Sequence, residues 1–128
     1  MNIIVTGAGG FLGRNLANGL LSKGHKVWNF SRRNHSPLQA MGVETICGNL
    51  QNASDVMTAF RGMDAVFHVA SRVGIWGEYE DYYRTNVVGT ENVIKACRAN
   101  SITKLIYTST PSVVFDGNDI LGADETKP

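Results

Sequence analysis

The chain has 128 residues, a formal net charge of +1 and 43% hydrophobic residues, which suits one ordinary globular domain. So balanced a charge points away from nucleic acid and anionic membranes as partners, and no apolar run reaches the ~20 residues of a membrane span. Cys47 and Cys97 lack metal-type spacing and read as small buried apolar residues of a reducing cytoplasm, and the N-terminus leaves no room for a signal peptide before the first strand.

The first strand is the apolar run Ile3, Ile4 and Val5, ended by Thr6. Gly7, Ala8, Gly9, Gly10, Phe11, Leu12 and Gly13 follow, and then the period changes. Leu12, Leu16 and Leu20 recur every four residues, so an amphipathic helix starts inside the glycine loop. Strand, glycine turn and helix open a dinucleotide-binding βαβ unit. Gly7 permits the sharp turn, Gly10 lets the backbone approach a pyrophosphate, and Gly13 allows close helix–strand packing. Gly9 adds a fourth glycine. Free N–H groups at the helix start, over Phe11, Leu12 and Gly13, would face the phosphates with the helix dipole behind them.

Gly24 closes the first helix. Residues 25–30 read as the second strand and 31–36 as a polar, basic loop. One or two helical turns over 37–41 precede Gly42, and 43–47 make the third strand. Asn52 is an expected N-cap with Asp55 in the first turn, and Val56, Ala59 and Phe60 line one face of the helix that Gly62 ends. Residues 64–69 form a nearly all-apolar fourth strand, buried on both faces. Its His68 reads as a core histidine, because burial disfavours the charged form. A loop over 70–77 carries two glycines and an exposed Trp76.

The longest helix is expected over residues 80–100. Tyr83, Val87, Thr90, Ile94 and Cys97 make one stripe, Tyr82, Gly89, Val93 and Ala96 a second, and Glu91 supports Lys95 at i,i+4. The fifth strand covers 103–109, and beyond Phe115 the chain turns polar. Strands alternating with helices predict an α/β fold with a doubly wound parallel sheet and no internal domain boundary. The fifth-strand edge and the two-striped helix together predict self-association.

Cofactor choice is read at the end of the second strand, where a carboxylate would bind the ribose 2′-OH of NAD. Ser31 stands there instead, followed by Arg32 and Arg33, whose guanidiniums could pair with a 2′-phosphate, so NADP is favoured over NAD. Asn49 and Leu50 would lie by the adenine, and Val69, Ala70 and Ser71 beside the pyrophosphate and ribose. At the end of the fifth strand Tyr107, Thr108, Ser109, Thr110 and Ser112 gather hydroxyls that could polarise a substrate carbonyl; capping is the plainer role for any one of them.

The glycines at 7, 10 and 13, the segment Val66-Phe67-His68-Val69-Ala70, the helix segment Asn86-Val87-Val88-Gly89-Thr90 and Tyr107-Thr108-Ser109-Thr110 together resemble extended short-chain dehydrogenases/reductases, the NAD-dependent epimerase/dehydratase superfamily. Within it the chain is most similar to the 3β-hydroxysteroid dehydrogenase-like branch. The runs Val73-Gly74-Ile75-Trp76-Gly77 and Tyr107 to Gly117 resemble bacterial members that reduce 2-alkyl-3-oxoalkanoates. The resemblance implies a Rossmann fold, Thr110 as the catalytic Ser/Thr and Asn86 as the helix asparagine that orders the site. It also places Asn49 where the family has Asp.

The family's base is a Tyr with a Lys four residues later, after the fifth strand. Tyr79, Tyr82, Tyr83 and Tyr107 are followed at that distance by Tyr83, Asn86, Val87 and Pro111. The chain is therefore expected to be the N-terminal NAD(P)-binding part of a longer oxidoreductase that interconverts 3-hydroxy and 3-oxo groups on a sterol-like or long-chain hydrophobic substrate. Alternatives are a nucleotide-sugar epimerase or dehydratase fragment, against which Val113-Val114-Phe115 argues, and a non-catalytic NADP-binding or sensing module.

Overall fold

The computed structural model describes residues 1–115, 117, 124 and 126. Five parallel strands form one sheet in the order β3-β2-β1-β4-β5. They are β1 (Asn2–Thr6), β2 (Lys26–Ser31), β3 (Glu44–Cys47), β4 (Ala65–His68) and β5 (Lys104–Tyr107). Helices α1 (Phe11–Ser22), α2 (Ser36–Ala40), α3 (Ala53–Ala59), α4 (Tyr79–Tyr82) and α5 (Gly89–Ala99) connect them. The chain winds outward from β1 to β3, returns to the other side of β1 at β4, and continues to β5. That reversal opens a crevice at the carboxyl ends of β1 and β4.

Each central strand is apolar on both sides because helices cover both faces. On one face Ile4, Phe30, Val56, Phe60, Val66, Val93 and Cys97 pack together. On the other, Val5, Ala8, Ala17, Val27, Leu38 and Val43 do the same beneath α1 and α2. Phe30 and Phe60 meet edge to face, 6.4 Å between centroids. Both are fully buried, so truncating Phe60 to Ala would cost about 3–5 kcal/mol.

The punctuation expected from sequence is present. Gly24 follows the α1 C-cap at φ +78° and Gly62 ends the α3 turn at φ +73°. The Asn52 side chain accepts from the Ser54 N–H, and Asp55 sits in the first turn of α3. Glu91 and Lys95 pair at 3.6 Å on the exposed side of α5.

Two expectations change. Cys97 is buried but Cys47 is exposed, because β3 is an edge strand with only its middle residues partly covered. The helix over 80–100 is not uniform: a π-helical segment, Tyr83–Val88, separates α4 from α5. A π turn uses i→i+5 bonds, so stripes counted at 3.6 residues per turn lose phase across it. Gly89, Val93, Ala96 and Cys97 are buried, whereas Tyr83, Val87 and Ile94 are exposed.

Candidate functional site

The crevice holds a cavity of about 650 Å³ over the carboxyl ends of the strands. Its walls include seven residues expected from sequence: Gly7, Ser31, Arg32, Asn49, Leu50, Ala70 and Ser71. Arg72, Trp76, Tyr82 and Thr85 complete the wall opposite β2. Gly9, Gly10, Phe11, Leu12, Gly13, Arg33, Val69, Asn86 and Thr110 do not line this cavity. Phe11 is 90% exposed at the start of α1, and Val69 packs its side chain into the core beneath α1.

The glycines of the turn do different things. Gly7 has φ +78°, and a Cβ there would lie 2.9 Å from the Ala70 backbone. A Cβ on Gly13 would fall 2.7 Å from the Ala8 Cα. Both are needed for the turn itself. Gly10 is the N-cap of α1 in an extended conformation, and a Cβ on it would meet only the Gly7 carbonyl oxygen, at 3.5 Å. The space in front of Gly10 is open, and the first N–H groups of a helix have no partner within it. An open helix N-terminus of this kind can accept an anion. A Cβ on Gly9 would strike the His35 imidazole at 2.5 Å, so His35 lies against the turn.

Asn29 was not singled out from sequence. It is fully buried; its Oδ1 accepts from the Ala8 N–H at 3.1 Å, and its Nδ2 donates to Ser31 and Thr45. It pins the glycine turn to β2. The signal was available: one amide in an otherwise apolar strand needs a partner when buried. The Ser31 hydroxyl donates in turn to the Arg33 carbonyl at 2.6 Å, which folds the basic loop back and leaves Arg32 on the cavity wall. At the other wall Asn49 presents an exposed amide whose Oδ1 accepts from Gln51 N–H.

The Asn86 amide is committed to the main chain of Arg72. Its Oδ1 accepts from the Arg72 N–H at 2.7 Å and its Nδ2 donates to the Arg72 carbonyl at 2.9 Å. The Arg72 guanidinium pairs with Asp81 at 3.2 Å and lies over the Tyr82 ring. Thr110 caps the short 3-10 turn Pro111–Val114 by accepting from the Ser112 N–H. Its hydroxyl stays at the exposed carboxyl edge beyond β5.

His68 is 2% exposed and bonded on both sides, to Thr6 Oγ1 at 2.7 Å and to Thr90 Oγ1 at 3.0 Å. Burial lowers its pKa to about 4, so it is a neutral core histidine as expected. Among the described residues no group of His, Cys, Asp and Glu could hold a metal, and no helix is long and apolar enough to cross a membrane.

Comparison with known proteins agrees with this geometry. The sequence pattern of the 3-beta hydroxysteroid dehydrogenase/isomerase family matches residues 4–128. A 2-alkyl-3-oxoalkanoate reductase of Stenotrophomonas maltophilia is 50% identical over 98% of this chain and 39% of its own length. A 3-beta-hydroxysteroid dehydrogenase of Mycolicibacterium neoaurum is 39% identical over 98% of this chain and 36% of its own. The chain thus spans well under half the length of these relatives. A solved short-chain dehydrogenase/reductase superfamily protein from Agrobacterium tumefaciens, with bound NAD, superposes with a TM-score of 0.86 at 25% identity, covering 100% of this chain and 38% of that one. The chain belongs to the 3-beta hydroxysteroid dehydrogenase/isomerase family, on a Rossmann-like NAD(P)-binding fold of the extended short-chain dehydrogenase/reductase type.

Proposed function

We propose that this chain is the cofactor-binding portion of an NADP-dependent oxidoreductase that interconverts a 3-hydroxy and a 3-oxo group on a sterol-like or long-chain substrate. The observation that carries the cofactor choice is Arg32 on the cavity wall at the end of β2, where no carboxylate stands. A guanidinium there would attract a 2′-phosphate, and a carboxylate would repel it. The substrate class is supported by the names of the two relatives, one a reductase of a 3-oxo acid and the other a 3β-hydroxysteroid dehydrogenase.

When bound, the nicotinamide would supply or accept the hydride. Gly10 and the start of α1, over Phe11, Leu12 and Gly13, would receive the pyrophosphate. Ser31, Arg32 and Arg33 would hold the adenosine phosphate, and Asn49 and Leu50 would flank the adenine. The main chain of Val69, Ala70 and Ser71 would border the ribose. Asn86 orders this wall through Arg72, and the Thr110 hydroxyl would polarise the substrate oxygen. The proton itself needs a Tyr with a Lys four residues on, expected beyond residue 128 together with the substrate-binding part. The outward face of the helical run, with Tyr83, Val87 and Ile94 exposed, would mediate self-association.

The test is kinetic. The full-length protein should oxidise NADPH on addition of a long-chain 2-alkyl-3-oxo acid, and much more slowly with NADH. Turnover with NADH alone would overturn the cofactor assignment. Turnover only with nucleotide sugars would move the protein to the epimerase reading.

A further inference from the structure

The hydrogen bonds around His68 have a direction. The Thr90 hydroxyl gives its single proton to the Asn86 carbonyl at 2.7 Å. It therefore accepts from His68, which must carry its proton on Nε2. Nδ1 is then an acceptor, and the proton it accepts is that of the Thr6 hydroxyl. With its proton committed, Thr6 Oγ1 turns its lone pairs to the N–H groups of Val69 and Ala70, at 3.2 Å each.

These bonds close on themselves. Thr6 holds the start of the turn over residues 69–72. Asn86 holds its end through both main-chain groups of Arg72. Thr90 joins Asn86 to His68, and His68 joins Thr90 to Thr6. The enclosed turn provides Ala70, Ser71 and Arg72 to the cavity wall and touches Gly7 of the glycine turn. We infer that His68 is a positioning residue for the dinucleotide site: locked as the Nε2–H tautomer, it closes a hydrogen-bonded ring that fixes the turn after β4 from both ends. A generic buried pair would hold one end. This ring spans β1, β4 and the π-helical segment, so a change at Thr90, outside the cavity, reaches the cofactor through Asn86.

The inference rests on dinucleotide binding in this crevice but not on NADP over NAD, so both are used as probes. In the full-length protein, Thr90→Val keeps the side-chain shape and removes the acceptor for Nε2–H. The expected result is a folded protein with affinity for both NADP and NAD reduced about tenfold, the scale of one lost buried hydrogen bond, and with faster amide exchange at Ala70. Thr90→Ser, which keeps the hydroxyl, should restore affinity. Unchanged affinity in folded Thr90→Val, with wild type binding normally, overturns the inference. Wild type binding neither dinucleotide instead overturns the reading of the crevice. Should Thr90→Val fail to fold, nitrogen-15 spectra of wild type at neutral pH decide: a pure Nε2–H tautomer supports the ring, and an Nδ1–H or mixed form sinks it.

Discussion

Substituting Gly10 separates binding from folding. Gly10 has φ −81° and ψ 174°, which any residue adopts, and an added Cβ would meet only the Gly7 carbonyl oxygen at an ordinary 3.5 Å. Gly10→Val should therefore cost under about 1 kcal/mol of stability, the scale of a poorer N-cap. The same branched side chain would stand in the open space in front of the α1 N-terminus. Losing two hydrogen bonds to charged phosphate oxygens, at about 1.5 kcal/mol or more each, removes at least ~3 kcal/mol of binding. That is a weakening of about a hundredfold or more. Gly13→Ala is the contrasting control. Its Cβ would lie 2.7 Å from Ala8 Cα and 2.8 Å from the Gly7 carbonyl carbon, so backbone must move, at a cost of about 1–3 kcal/mol. Thermal unfolding and dinucleotide titration measure the two quantities on each variant. Gly10→Val that folds and binds like wild type would refute the placement of the pyrophosphate, and Gly10→Val that does not fold would refute the open geometry.

Arg32→Ala should weaken NADP by roughly tenfold or more, the scale of one charge-assisted bond, and leave NAD affinity unchanged; equal losses for both would disconnect Arg32 from the 2′-phosphate. Stability should depend on pH through His68, whose folded pKa of about 4 lies below its ordinary 6.5. The unfolded chain takes up a proton that the folded one refuses, so this contribution is complete above the unfolded value and is lost as pH falls toward the folded one. Between pH 7 and pH 5 it amounts to about 2 kcal/mol. The Tyr107 ring lies tilted against the imidazole, 5.7 Å between centroids. Denaturant unfolding should show this slope in wild type and its loss in His68→Gln; identical slopes would contradict a buried neutral imidazole. Sedimentation should find the protein associated at high micromolar concentration and Ile94→Glu shifted toward monomer, whereas a monomeric wild type would refute the role given to the outward helix face.

Much of this molecule is written in local sequence. Ile3-Ile4-Val5 followed by spaced glycines and leucines every four residues admits little but strand, turn and helix, because each step is a property of a few adjacent residues. Asn52, Gly24 and Gly62 punctuate helices for equally local reasons, and the missing carboxylate at Ser31 is visible without any coordinates. What tertiary structure decided are the features that depend on partners far along the chain. Cys47 is exposed because β3 lies at a sheet edge, which its residue type does not disclose. The helix over 80–100 loses its phase where Asn86 is held by Arg72 and Thr90, contacts that a stripe count does not contain. Asn29 reaches back 21 residues to the glycine turn. The tautomer of His68 follows from Thr6, 62 residues earlier, and Thr90, 22 residues later. A hydrogen bond's direction is set by which partner has its proton already committed, and only the folded arrangement of all three side chains fixes that.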